Sequence, residues 1–112
     1  METHVDTVDE VTVLTIDGDS LDASNTKDFK EATGPVVERS TRLVFDLSRL
    51  RFVDSSGLGA ILSCLRQLNA SGGELKLCGM TKPVKALFEL VRMHRIFDIF
   101  GTREEAVKAF SH

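Results

Sequence analysis

Apolar residues at Leu58, Ile61, Leu62, Leu65 and Leu68 follow the i, i+3, i+4, i+7 spacing of one buried helical stripe, predicting a helix after Gly57. Ala60, Ser63 and Gln67 fall on its opposite side, and the run closes at Asn69-Ala70-Ser71-Gly72-Gly73, where glycine supplies the left-handed geometry that ends helices. Residues 42–47 and 50–53 are rich in branched and aromatic side chains and read as strands. Residues 4–8 and 11–16 are a further pair of strands, joined at Asp9-Glu10. A helix follows Asp22, starting near Ser24 or Asn25 with Asp28 in its first turn. Its apolar positions Phe29, Ala32, Val36 and Val37 run through Gly34-Pro35. A proline inside a helix removes a hydrogen bond at a cost of about 3 kcal/mol, so a kink or two short helices are expected there.

Toward the end of the chain, a third helix is predicted from Thr81, with Pro83 in the first turn and Val84, Leu87, Phe88 and Val91 buried. Residues 96–100 are short and β-branched and read as a strand, and Thr102-Arg103-Glu104-Glu105 is a capping box for a last helix that turns Ala106, Val107 and Phe110 inward. Strands that alternate with helices imply an α/β domain: a mixed, mainly parallel sheet of about four to six strands with about four helices. At 112 residues, 1–112 is expected to form one domain.

Composition narrows the function classes. With 42% hydrophobic and 28% charged residues the chain is neither disordered nor membrane-like, and no apolar run approaches the ~20 residues that span a bilayer. Met1-Glu2-Thr3-His4-Val5-Asp6 is polar and acidic rather than a signal peptide, so the expected location is the cytoplasm, without membrane insertion. A net charge of −3, seven Phe and no Tyr or Trp give neither a cationic footprint nor a stacking surface for nucleic acid. Cys64 and Cys78 have no CxxC spacing and read as reduced core residues, and His4, His94 and His112 are too scattered for a metal site, so no cofactor is expected. Arg92, His94 and Arg95 gather where the third helix ends; they read as a solvated helix end or as a rim that meets an acidic partner.

The segment Phe52-Val53-Asp54-Ser55-Ser56-Gly57-Leu58-Gly59 joins strand to helix through two hydroxyls and two glycines. Ser55 and Ser56 read as the helix N-cap, where unpartnered N–H groups and the positive end of the dipole favour an anion, including a phosphate carried by the hydroxyl. Gly57 and Gly59 each cost about 1 kcal/mol relative to Ala in a helix, which implies a close approach at this turn. No Gly-x-Ser-x-Gly elbow, P-loop or kinase glycine loop with its lysine occurs, so the chain carries no catalytic set and is expected not to be an enzyme. Gly57-Leu58-Gly59 alone is a weak nucleotide signal.

The Asp-Ser-Ser-Gly-Leu-Gly core resembles the signature of the STAS family, in particular its stand-alone bacterial anti-sigma factor antagonists. Gly18-Asp19-Ser20-Leu21-Asp22 is similar to that family's early Gly-x-Leu-Asp turn with one extra residue. Leu43-Val44-Phe45-Asp46-Leu47 resembles its central strand, Gly72-Gly73-Glu74-Leu75 the next turn and strand, and Pro83-Val84-Lys85-Ala86-Leu87-Phe88 the following helix. The resemblance implies a STAS fold and a partner-switching module. Unphosphorylated, such a module binds an anti-sigma factor serine kinase of the histidine-kinase-like ATPase class and frees a sigma factor. The kinase then phosphorylates the serine after the motif Asp, here Ser55 with Ser56 as the neighbouring candidate, and a metal-dependent serine phosphatase reverses this. The partner surface implied is Asp22, Asp54, Ser55, Ser56, Gly57, Leu58 and Gly59. The alternative is a STAS scaffold in a signalling or envelope lipid transport assembly without a phosphorylation cycle.

Overall fold

The computed structural model describes residues 1–110. Strand β1 (Glu2–Val8) turns into β2 (Val11–Asp17), and a two-residue β3 (Ser20–Leu21) leads to α1 (Thr26–Arg39). Then come β4 (Arg42–Asp46), a two-residue β5 (Phe52–Val53), α2 (Ser55–Ala70), β6 (Glu74–Cys78), α3 (Lys82–Leu90), a 3-10 turn (Met93–Arg95), β7 (Asp98–Phe100) and α4 (Arg103–Lys108). The main sheet has the order β1-β2-β4-β6-β7 and is parallel except for the antiparallel β1–β2 hairpin. That hairpin turns on Asp9 and Glu10, both at positive φ (49° and 67°), the geometry that matches the twist of a two-residue hairpin. The mixed, mainly parallel sheet is the expected one.

Helices α1, α2 and α3 cover one face of the sheet, where Phe29, Phe45, Leu47, Ile61, Leu65, Leu77 and Phe88 form the main core. The other face is covered by α4 alone, with Ala106, Val107 and Phe110 against Val11, Val13, Val44 and Cys78. Arg103 pins α4 down: its guanidinium donates to Asp46 Oδ2 (3.1 and 3.3 Å), to Thr15 Oγ1 (2.8 Å) and to Asp6 Oδ2 (3.2 Å). Desolvation of the Asp46 carboxyl works against its charge, but the hydrogen bonds from Ser48 and Arg103 outweigh it and hold the group below the usual carboxylate range. Buried Lys76 lies over the Phe110 ring (4.7 Å to its centroid) and pairs with Asp98 at 3.0 Å.

Several expectations change. Residues 26–39 form one helix, not two: Pro35 and Glu31, whose carbonyl loses its partner, are both exposed, so water can serve that group. Thr33 rather than Ala32 is fully buried in α1, its hydroxyl donating to the Phe29 carbonyl. Ala60, expected on the outer side of α2, is 2% exposed, because α2 packs against α1 as well as against the sheet. Val91 is exposed rather than core, and the strand expected over 96–100 shrinks to Asp98–Phe100 behind the 3-10 turn, leaving Ile96 outside it and exposed. Leu50 and Arg51 lie outside the strand. Of the expected capping box the N-cap half forms, with Thr102 Oγ1 accepting the Glu105 N–H at 3.2 Å, while Glu105 Oε1 meets the Thr102 hydroxyl (3.1 Å) instead of its backbone N–H; Cys64 and Cys78 are free and buried as expected.

Candidate functional site

Beyond the carboxyl ends of β2 and β4, β3 and β5 pair in parallel, Ser20 against Phe52 and Leu21 against Val53. This small ribbon brings two loops 31 residues apart into contact. Asp54, at the end of β5, ties them together. Its backbone N–H donates to the Leu21 carbonyl (3.2 Å), its Oδ2 accepts the Ala23 N–H (3.1 Å), and its Oδ1 accepts the Gly57 N–H (2.9 Å).

Asp54 is therefore the N-cap of α2, and the expectation that Ser55 and Ser56 occupy that place is corrected: they are the first two helical residues. Acid and hydroxyl residues both cap well, and the extended backbone of Asp54 (φ −99°, ψ −174°), set by its pairing with Leu21, decides between them. Both serines are exposed. Their N–H groups belong to the first turn, which has no intrahelical acceptor.

Across the ribbon, the Asp22 Oδ1 accepts the Ser24 N–H (2.9 Å) and the Ser24 hydroxyl, while the Asp22 N–H donates to Asn25 Oδ1 (2.9 Å). The Ser24 hydroxyl, with help from its N–H, holds the Asp22 carboxyl below the usual range, so it is charged at neutral pH. Asn25 Nδ2 donates to the Ser20 carbonyl (2.8 Å), which locks this loop to β3. In sequence Ser24 and Asn25 mark only a helix start, and Ala23 carries no signal; their bonds to Asp22, Ser20 and Asp54 are the kind that Asx-type residues after a turn make.

The two glycines differ. A methyl on Gly57 would lie 2.1 Å from the Leu21 carbonyl oxygen, whereas one on Gly59 meets nothing within 4 Å. The close approach anticipated at this turn is thus made by the protein's own β3 at Gly57, and Gly59 leaves the outer surface bare. Leu58, expected both in the core stripe and on the partner surface, is only 8% exposed and packs with the main core. Asp22, Asp54, Ser55, Ser56 and Gly59 are gathered on one rim; Gly57 and Leu58 turn inward beneath it.

On the opposite face of the sheet, Glu2, His4 and Asp17 bring ligand atoms within 4.8 Å of one another, a grouping the scattered histidines did not suggest. Arg49 already pairs with Asp17 at 2.9 Å, and this bond chiefly lowers the Asp17 pKa. Among the described residues no helix is long and apolar enough to cross a membrane.

A small α/β domain whose one built rim joins two acidic turns to an exposed serine at a helix start is a binding module in form. The STAS domain family model matches residues 2–106, and the chain belongs to that family. It is 31% identical over 111 residues to BtrV of Bordetella bronchiseptica, provisionally named as an anti-sigma factor antagonist, covering 98% of this chain and 95% of that one. A Thermotoga maritima protein described in the same provisional terms superposes with a TM-score of 0.87 at 26% identity, covering 96% of this chain and 92% of that one. The Bacillus anti-sigma factor antagonist SpoIIAA shares the fold in its unphosphorylated form (TM-score 0.78, 23% identity, 97% and 96% covered). Its phosphorylated form does so as well (TM-score 0.71, 23% identity, 97% and 99% covered).

Proposed function

We propose that this chain is an anti-sigma factor antagonist, a cytoplasmic binding protein rather than an enzyme, with residues 1–112 acting as one STAS domain and no cofactor. Unphosphorylated, it holds an anti-sigma factor serine kinase of the histidine-kinase-like ATPase class and thereby frees a sigma factor. The kinase transfers the γ-phosphoryl group of its ATP to the Ser55 oxygen, releasing ADP and the hydroxyl proton; Ser56 is the neighbouring candidate. A metal-dependent phosphatase hydrolyses the ester and restores binding.

The observation that carries this reading is the exposed Ser55 on the first turn of α2, beside the Asp54 cap and across the ribbon from the charged Asp22 loop. A phosphate brings about −1.5 to −2 charges at neutral pH. Helix-start N–H groups stabilise it within this chain, while a partner surface matched to Asp22 and Asp54 is repelled. A loss of ~3 kcal/mol at the interface weakens binding about a hundredfold, sufficient to exchange partners without refolding. In this reading Asp22, Asp54, Ser55, Ser56 and Gly59 face the partner, and Gly57 and Leu58 support them from below.

The test uses a serine kinase recovered from the host by pull-down with the Ser55→Ala form. Ser55→Ala should bind it and take up no phosphate, and wild-type protein should gain one phosphate on Ser55 with kinase and ATP and then lose affinity. Equal affinity of the two forms overturns the proposal.

A further inference from the structure

We infer that residues 90–96 form a second docking surface for an acidic, amphipathic segment of another polypeptide, at the C-terminal end of α3. Leu90, Val91 and Ile96 are 79%, 41% and 52% exposed, half of the six large exposed hydrophobics among the described residues. They alternate with exposed Arg92, His94 and Arg95. No acid lies within these seven residues, although the chain as a whole carries −3; the nearest are Glu89, one residue upstream, and Asp98, which is paired with Lys76.

Arg92 supplies an independent observation. It sits just past the C-cap of α3 in the left-handed region (φ 62°), where helices normally place glycine. The turn needs no guanidinium, so an arginine kept in an unfavourable conformation points to a use for its side chain. Next to it, α3, the 3-10 turn and β7 border a cavity of about 310 Å³ lined by Met80, Phe88, Ile99 and Phe100, with Lys85, Glu89 and His94 as its charged or titratable residues, so that the acid Glu89 faces the basic Lys85 and the cationic character comes from Arg92 and Arg95 beside it. His94 belongs to both the exposed segment and this cavity, so the two are continuous. Together they offer an apolar recess for an anchoring side chain and cations for the acids beside it.

Charge selects the occupant. Adsorption to an anionic membrane takes clusters of about four to eight basic residues, and here two arginines and one histidine belong to a net acidic protein. A symmetric contact with a second copy would bring two copies of this basic segment, which contains no acid, against each other. The location follows from topology. The parallel strands run toward Ser55, the N-cap Thr81 of α3 is bonded to the Leu50 carbonyl beside β5 (2.7 Å), and the helix then runs back to the start of β7. The exposed segment therefore lies at the far end of α3 from β5, while the cavity extends from it toward Met80 and Gly101 at the carboxyl ends of β6 and β7.

The test is a titration of the isotope-labelled full chain, followed by amide shifts, with a synthetic helical peptide carrying Leu at i, i+3, i+4 and i+7 and Glu elsewhere. Saturable shifts are expected at residues 90–96 and around the cavity, and not at 54–59. Arg92→Gly relieves the turn and should fold at least as well, yet it should weaken binding at least fivefold; Arg92→Glu/Arg95→Glu should weaken it more than tenfold. Ser55→Asp should bind the peptide as the parent does. Absence of saturable shifts, shifts centred elsewhere, or equal binding of the Lys-for-Glu peptide overturns the inference. So does tighter binding to phosphatidylglycerol vesicles, or self-association in sedimentation that Leu90→Ser abolishes.

Discussion

Replacing Gly57 by alanine places a methyl group 2.1 Å from the Leu21 carbonyl oxygen, 2.8 Å from its carbon and 3.0 Å from the Leu21 Cγ. The obstacle is backbone, so no rotamer change removes it, and β3 or the start of α2 must retreat by about 1 Å within a close-packed interior. Overpacking of this kind costs about 1–3 kcal/mol or more. Displacing β3 also strains the Leu21–Val53 pairing and the Ala23 N–H bond to Asp54, adding about 1 kcal/mol, and the better helix propensity of alanine returns about 1 kcal/mol. The last two contributions cancel, and the net expectation is a loss of about 1–3 kcal/mol. Gly59→Ala is the internal control, because it meets nothing within 4 Å and should raise stability by about 0.5–1 kcal/mol through propensity and a less free unfolded chain. Urea unfolding followed by circular dichroism checks both, with unchanged slopes and midpoints moving in opposite directions. A Gly57→Ala protein as stable as the parent would refute the packing argument, as would a destabilised Gly59→Ala.

Arg103→Met removes the partner of a carboxylate whose side chain is 12% exposed, and should cost about 2 kcal/mol at pH 7. The Asp46 pKa is depressed in the folded protein, so its contribution is present above the ordinary value of 3.8 and fades as pH falls through the folded value. The deficit of the variant should accordingly shrink below about pH 4; a deficit that stays constant down to pH 2.5 would assign it to packing of the arginine stem. Burial pushes the Cys78 thiol up to about 12 and also raises Cys64. Neither should react with a thiol reagent at pH 8 until denaturant is added, and rapid labelling of the native protein would contradict their placement in the core.

Nearest-neighbour periodicity carried much of the architecture. The stripe through Leu58, Ile61, Leu65 and Leu68, the Thr102 N-cap and the alternation of strands with helices are local properties, and each appears in the fold. The same locality explains the errors. A single apolar stripe cannot report that α2 has a second neighbour, so it puts Ala60 outside, and propensity cannot report that Pro35 faces water, so it predicts a kink or two short helices in place of the single α1. Exposed Val91 keeps the helical spacing of the core positions of α3 and so reads as core from sequence.

The octet from Phe52 to Gly59 was legible as a strand-to-helix turn suited to an anion, and its composition announced caps and glycines without ranking them. Which residue caps, which glycine is indispensable and which residues face outward depend on the β3–β5 ribbon, where Leu21 meets residues more than thirty positions away. Chain chemistry determined the elements and the candidate serine; sheet order brought the Asp22 loop onto Asp54, buried Gly57 and left Gly59 open, because close approach between distant backbones exists only once the sheet has formed.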